Sequence, residues 1–246
     1  MRYLIISDLH GNLEALQAVL AQSAGGYDQI LCCGDLVGYG ADPNPVCDWA
    51  RLNCSVVVRG NHDRASTGQD DLEWFNPVAR NAAIWTLQTL STENASFIVG
   101  LPRGPVTVED FQVFHGSPYD EDEYVIAADE ASQAFSYMEA RIAFFGHTHV
   151  QGGFIWNQSR VETILRPPAR SDSQSLLIDP ECAYMINPGS AGQPRDGDPR
   201  AAYVLYDSEA KEVTYRRVGY DITTAQRKIH AAGLPAILAD RLSAGR

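Results

Sequence analysis

Five apolar runs in this chain each end in residues of the types that ligate metals. They read Leu4-Ile5-Ile6-Ser7-Asp8-Leu9-His10, Ile30-Leu31-Cys32-Cys33-Gly34-Asp35, Val56-Val57-Val58-Arg59-Gly60-Asn61-His62-Asp63, Phe111-Gln112-Val113-Phe114-His115 and Ile142-Ala143-Phe144-Phe145-Gly146-His147-Thr148-His149. A short apolar run, then a turn residue, then a polar one, is the pattern of a buried strand that delivers a side chain to its carboxyl end. In open α/β sheets, sites gather at those ends. Five of the six histidines lie in these tips, and only His230 lies elsewhere.

Between the tips the chain alternates. Strands are expected at 2–7, 28–33 and 55–59, separated by a helix capped by Asn12 with Leu13, Leu16 and Leu20 on one face. A second helix is expected to start at Asn44-Pro45, with Asn44 as its N-cap, proline at the first position, and Val46, Trp49 and Ala50 inward. This βαβαβ order implies parallel pairing with right-handed crossovers. A helix from Asn76-Pro77 to about Leu90 follows the acidic segment 64–75, which reads either as a cap over the tips or as a plain crossover. Beyond residue 96 come short strands near 105–109, 111–115, 141–145, 150–156, 161–166, 174–178, 183–187 and 202–206, with a helix near 127–138. Hairpins then dominate, which suggests a second, more antiparallel sheet packed on the first. Residues 167–175 read as a hairpin loop, and 187–199 as a long turned loop of the kind that is often functional. The tail opens on a capping box from Thr223 to Gln226 and closes on a helix with Ile237, Leu238 and Leu242 on one face. We read residues 1–246 as one domain with a helical tail from about 221.

Composition narrows the function. A net charge of −12 with no basic run argues against a stable nucleic-acid partner. The five cysteines lack C-x-x-C spacing and read as reduced thiols of a cytoplasmic protein. No apolar stretch approaches a membrane span, and neither a phosphate loop nor a Gly-x-Ser-x-Gly elbow is present.

The tips themselves supply carboxylates, imidazoles and an amide. Asp-x-His on an extended segment would place Asp8 and His10 on one face, and His147 and His149 share the spacing. Such a donor set suits first-row divalent ions, manganese foremost, with iron, zinc, nickel or cobalt as alternatives. Asp8, His10, Asp35, Asn61, His115, His147 and His149 make seven candidate ligands, too many for one catalytic ion. With one shared carboxylate they serve two ions. Two ions lower the pKa of a bridging water toward about 7 and clamp phosphate oxygens. His62 lies one residue past a ligand and is the natural proton donor to a departing oxygen.

The set Asp8/His10, Gly34-Asp35, Gly60-Asn61-His62-Asp63, His115 and Gly146-His147-Thr148-His149 resembles the calcineurin-like metallophosphoesterase superfamily. Asn187-Pro188-Gly189-Ser190 followed by Gln193-Pro194-Arg195 is similar to its bacterial and archaeal single-domain phosphodiesterase/phosphatase branch, as is the Leu234–Gly245 tail. The resemblance implies a four-layer α/β/β/α sandwich of two mixed sheets flanked by helices. It implies that Asp8, His10, Asp35 and His149 hold one ion, and Asp35, Asn61, His115 and His147 the other, with Asp35 bridging. His62 and Asp35 would be catalytic, and Asn61 and His62 would also contact the substrate phosphate.

Protein phosphatases of that superfamily carry Gly-Asp-x-Val-Asp-Arg-Gly and Gly-Asn-His-Glu. Here Gly34-Asp35-Leu36-Val37-Gly38-Tyr39-Gly40 and Asp63 stand instead, so the acid that orients the histidine and the phosphate-binding arginine are missing. Arg195 is the candidate replacement, because a guanidinium matches two phosphate oxygens. The expected activity is hydrolysis of small phosphodiesters, phosphomonoesters or nucleotides by a hydroxide held between the ions. The alternatives are a non-catalytic metal-binding scaffold of the same fold, a protein phosphatase and a nuclease. The scaffold relative lacks the histidine that stands here at 62.

Overall fold

Apolar alternation builds two sheets. The computed structural model describes residues 1–168 and 171–246. In the first third, β1 (Arg2–Ile6), α1 (Leu13–Ser23), β2 (Gln29–Cys32), α2 (Pro43–Asn53) and β3 (Val56–Val57) alternate as expected, with β1–β2 and β2–β3 parallel. Then come α3 (Asn61–Ala65), a 3-10 turn at Leu72–Trp74, α4 (Pro77–Thr89) and α5 (Thr92–Val99). The middle supplies β4 (Val106–Val108), β5 (Phe111–Val113), α6 (Ala128–Tyr137), β6 (Ile142–Phe144), β7 (Gly152–Trp156) and β8 (Val161–Ile164). The last third gives β9 (Ser173–Leu177), β10 (Ala183–Asn187), β11 (Ala201–Asp207), β12 (Glu212–Val218), α7 (Ile222–Ala231) and α8 (Ala236–Ala244).

The sheets run β3-β2-β1-β11-β12-β9 and β4-β5-β6-β10-β7-β8. Strand alternation sorts their side chains. Leu4, Ile6 and Cys32 face outward onto α1, α2 and α5, meeting Leu16, Val19, Val46 and Ile98. Tyr3, Ile5 and Leu31 face inward onto Phe111, Phe144 and Ile186 of the second sheet. The outer face of that sheet, with Phe145 and Met185, is covered by Ala131 and Ala134 of α6. This is the expected α/β/β/α sandwich. Edge-to-face rings at its centre (Tyr3–Phe111 at 5.1 Å, Phe111–Tyr206 at 5.5 Å) fix the two sheets together, each pair worth about 0.5–1.5 kcal/mol beyond its buried area.

Several details differ from the sequence reading. The later hairpins do not all build the second sheet: β9, β11 and β12 extend the first, while β5, β6 and β10 run parallel. Helix α5 and strand β12 lie outside the expected elements. Asp42, not Asn44, stands at the N-cap position of α2. Asn44 instead ties α2 to the α4–α5 corner, donating to Thr89 O and accepting from Ser91 N. Asp221, not Thr223, caps α7 by accepting from Thr224 N. Ile237 is exposed, and Ala239 joins Leu238 and Leu242 on the buried face of α8. Trp49 is only partly buried; Cys47 takes the inner position with Val46 and Ala50. Ala169 and Arg170, in the expected 167–175 loop, lie outside the described residues. Helices α4, α7 and α8 pack together over Tyr39, which brings the tail up to the strand tips.

Candidate metal centre

The tips of β1, β2, β3, β5 and β6 converge, but not by simple alternation. Asp8, His10, Asp35, His147 and His149 all have left-handed backbone, with φ of 53°, 46°, 55°, 68° and 59°. The expectation of an extended Asp8–His10 segment is therefore corrected: β1 has already ended at Ile6. Left-handed backbone costs a non-glycine residue roughly 1–2 kcal/mol, so five such residues in one cluster mark a place where geometry is held against local preference. Hydrogen bonds hold it: Asp8 N donates to Gly34 O at 2.9 Å and His10 N to Asp35 O at 3.0 Å. Close approach needs glycine at two points. A Cβ at Gly60 would lie 2.1 Å from Asp35 Oδ1, and one at Gly146 2.0 Å from Ser7 Oγ.

The result is two groups of donors. Asp8, His10, Asp35 and His149 present ligand atoms within 4.8 Å of one another, and so do Asp35, His115 and His147. Asn61 Oδ1 lies 3.3 Å from His115 Nε2, which places it in the second group. Asp35 belongs to both. Its Oδ1 accepts from His62 N at 2.9 Å, whereas its buried Oδ2 has no hydrogen-bond partner among the described residues. That bare oxygen stands 3.6 Å from His10 Nε2 and 3.4 Å from His115 Nε2.

Backbone carbonyls set the ring tautomers. The outer nitrogens point at carbonyl oxygens: His10 Nδ1 at Val37 (2.9 Å), His115 Nδ1 at Cys33 (2.7 Å), His147 Nε2 at Asp122 (3.2 Å) and His149 Nδ1 at Gln193 (2.7 Å). A carbonyl accepts only, so each outer nitrogen carries the proton. Burial holds His10 and His149 far below the ordinary imidazole range and His147 at about 3, so these rings are neutral. The Nε2 atoms of His10 and His149 then face each other at 3.1 Å with a lone pair on each and no proton between them. Such a contact repels unless a cation stands against both. The donor set therefore fits divalent transition-metal ions, with the carbonyls as the outer partners that orient metal-binding imidazoles.

The charged pair behaves differently. Burial works against both Asp35 and His115, but their mutual attraction keeps the Asp35 carboxyl well below its usual range and lifts His115 to about 10. Burial raises Asp8 to about 7 against the charge of His115. Cations in the cluster would take the place of the His115 proton and favour both carboxylates in their charged form.

His62 starts from the same tip but points elsewhere. It packs edge-on to His10 at 4.9 Å and beside Tyr39 at 4.3 Å and Phe75 at 5.4 Å. Its buried Nδ1 has no partner among the described residues, and Gly38 lies where a Cβ would come within 2.7 Å of that atom. The missing acidic partner is thus a real feature of the site, and burial lowers His62 to about 4. His62 lines a cleft of about 330 Å³ with Asn61, His147, Tyr39 and Tyr124. Arg195 reaches the same area. Its Nη2 donates to Tyr39 Oη at 3.2 Å, and its guanidinium lies 5.7 Å from the Tyr39 ring centre. Its charge is felt at Asp8, His10 and His149.

The structure thus gathers all seven candidate ligands, with His62 and Arg195 beside them. Of the two loops singled out, 64–75 borders the cleft through Asp70, Asp71 and Phe75, and 187–199 supplies Gln193 O and Arg195. Sequence reasoning missed the carbonyls of Cys33, Val37, Asp122 and Gln193, because backbone atoms leave no mark in residue type. It also missed Tyr124, whose ring lies 3.8 Å from that of His147, and the structural work of Asp63. The acid closing Gly60-Asn61-His62-Asp63 was the available signal for the last.

Two packed mixed sheets with a buried Asp/His cluster at the strand tips define a metallophosphoesterase fold. Residues 1–211 match the family model of the calcineurin-like phosphoesterase superfamily domain, and the chain belongs to that family. It is 37% identical over 251 aligned positions to an uncharacterized protein of Methanocaldococcus jannaschii, spanning 98% of this chain and 97% of that one. The crystal structure of a metallophosphoesterase from Sphaerobacter thermophilus is similar at 40% identity, with a TM-score of 0.87 over 100% of this chain and 99% of that one. A hypothetical protein from Pyrococcus horikoshii shares the fold, with a TM-score of 0.77 at 18% identity over 100% and 98% of the two chains.

Proposed function

We propose that this protein hydrolyses small phosphoesters with two divalent metal ions. One observation carries the reading: the neutral His10 and His149 rings turn bare nitrogens toward each other 3.1 Å apart, beside a bare Asp35 Oδ2 shared with a second donor group. Asp8, His10, Asp35 and His149 would hold one ion and Asp35, Asn61, His115 and His147 the other. Bound there, the ions supply a nucleophilic oxygen at neutral pH and a clamp on phosphate oxygens. Manganese is the first choice, with iron, zinc, nickel and cobalt as alternatives.

The chain's own residues do the rest. Asn61 and His62 face the phosphate from the cleft wall. The negative charge of a bound phosphate opposes the burial that lowers His62, favouring its protonated form, and His62 gives that proton to the departing oxygen. Arg195, anchored on Tyr39, balances charge on the phosphate from the other side. Gly38 and Tyr39 stand where protein phosphatases carry an acid and an arginine, which supports a small substrate. The acidic surface speaks against stable nucleic-acid partners. No described helix is long and apolar enough to cross a membrane. The five free cysteines support a place in the cytoplasm.

The test is direct. Purified protein, stripped with chelator and reloaded with Mn²⁺, is assayed on bis-p-nitrophenyl phosphate and p-nitrophenyl phosphate beside His62→Ala. Hydrolysis that depends on metal and on His62 is expected; no turnover above the variant would sink the enzyme reading.

A further inference from the structure

We propose that the cleft beside His62 is the leaving-group subsite, and that it selects an uncharged aromatic group of the nucleoside or aryl kind over a polyphosphate. The inference rests on the reading above, since it takes the metal cluster as the seat of the reacting phosphoryl group.

The cleft opens from the cluster between His62 and His147. A group leaving a phosphorus seated at the cluster must pass the proton donor, so the space beyond His62 is where it lies. That space holds about 330 Å³, enough for one ring system and a sugar-sized attachment.

Aromatic faces line its inner part. Phe75 packs edge-on to His62, and Tyr124 lies against His147. Tyr124 is 49% exposed although its neighbour His147 is buried. A half-open tyrosine face at the mouth of a cleft is suited to stacking a planar ring.

The outer lip is acidic. Asp70, Asp71 and Asp122 border it, and Arg64 is the one cation among the described residues lining it. Arg64 has no charge to spare: it pairs with Asp70 at 2.8 Å, with Asp122 at 2.7 Å and with the buried Glu121. Glu121 is held in turn by Arg59 at 2.8 Å. Two arginines against four carboxylates leave the lip negative. Phosphates beyond the first would meet like charge in a partly desolvated cleft, where repulsion is weakly screened. Sugar hydroxyls, in contrast, carry no charge for the lip to repel.

Competition on the Mn²⁺-loaded enzyme tests this, with AMP, ATP and inorganic phosphate as inhibitors of bis-p-nitrophenyl phosphate hydrolysis at fixed free Mn²⁺. Metal chelation alone ranks ATP ahead of AMP. The negative lip predicts the reverse, with AMP about tenfold tighter than ATP and about tenfold tighter than phosphate. Asp71→Lys, on the exposed rim, should tighten ATP at least about fivefold and leave AMP within about twofold. ATP binding as well as AMP, or AMP binding no better than phosphate, would overturn the proposal. If bis-p-nitrophenyl phosphate is not hydrolysed, the function reading fails by itself. The same ranking, measured by calorimetry on Mn²⁺-loaded protein, then decides the subsite.

Discussion

The Asp63 carboxylate holds the loop that carries Asp35. Its Oδ2 accepts from Asp35 N at 2.9 Å and from Gly60 N at 3.0 Å, and its Oδ1 from Leu36 N at 2.9 Å and Val37 N at 3.3 Å. The side chain is fully buried. Burial pushes the Asp63 carboxyl up to about 7, but four backbone donors on its two oxygens suit only the ionised form, so Asp63 acts as a plug that fixes Asp35 and the Val37 carbonyl together.

Asp63→Asn should therefore injure both fold and site. The amide turns a donor toward backbone donors and strands at least one buried N–H, a loss of about 1–3 kcal/mol. Thermal unfolding should fall by several degrees, roughly 2–4 °C per kcal/mol at this size. Mn²⁺ affinity should drop about 10–100-fold, as for outer partners of metal ligands. Unchanged calorimetric affinity in the variant would show that Asp63 does not position Asp35.

Metal should also stabilise the fold. The His10–His149 contact is repulsive without a cation, and five left-handed residues are held around it. Chelator-stripped protein should melt lower than Mn²⁺-loaded protein, because each filled site adds about 2.7 kcal/mol of stability when free metal is a hundred times Kd. His149→Ala removes one of the facing lone pairs. It should shrink the metal-dependent gain while raising the stability of the stripped form toward or above that of wild type. A stripped variant much less stable than stripped wild type would contradict the repulsion.

The strand tips were legible because runs such as Leu4–Ile6 and Ile142–Phe145 have no place outside a core, and their polar ends must then gather at one edge. The backbone at those ends was not. Asp8, His10, Asp35, His147 and His149 adopt positive φ, a conformation that residue type announces only for glycine and, weakly, for asparagine and aspartate. Strand β12 was hidden by its charges: Arg217 looks like a surface residue, yet it is buried and paired with Asp196 and Gln151. The split between sheets escaped too. Hairpin signals give neighbours along the chain, whereas β1 pairs with β11 across some two hundred residues.

The loop carrying Arg195 is pinned by acid-sensitive pairing at its far end. Burial would raise the Asp198 carboxyl, but the hydrogen bonds and charge of Arg200, helped by Arg217, hold it below its ordinary range. A depressed folded-state pKa stabilises fully above the unfolded value of about 3.9, and that share is lost as pH falls through the folded value. Asp198→Asn should thus lower urea resistance near pH 6, and the difference from wild type should shrink below about pH 4. A difference that stays constant down to pH 3 would show that the charge of Asp198 is not what holds the loop.

Arg195 itself is the sharpest test of how phosphate is held. Its backbone N donates to His149 O at 3.2 Å, and its side chain reaches Tyr39 Oη, so loop and guanidinium are both fixed beside the cluster. Arg195→Ala removes a positioned cation and should lower kcat/KM on bis-p-nitrophenyl phosphate about 10–100-fold, most of it in KM if the contact is already made in the bound substrate. Arg195→Lys keeps the charge but loses the planar pair of donors, so it should recover only part of the loss. Tyr39→Phe removes the anchor without touching charge, and a smaller drop, about 2–5-fold, is expected from freeing the guanidinium. The order Ala, Lys, Phe, from largest to smallest loss, is the signature of a positioned guanidinium. Equal rates in all three variants and wild type would remove Arg195 from the site and leave Asn61, His62 and the metal ligands to hold the phosphate alone.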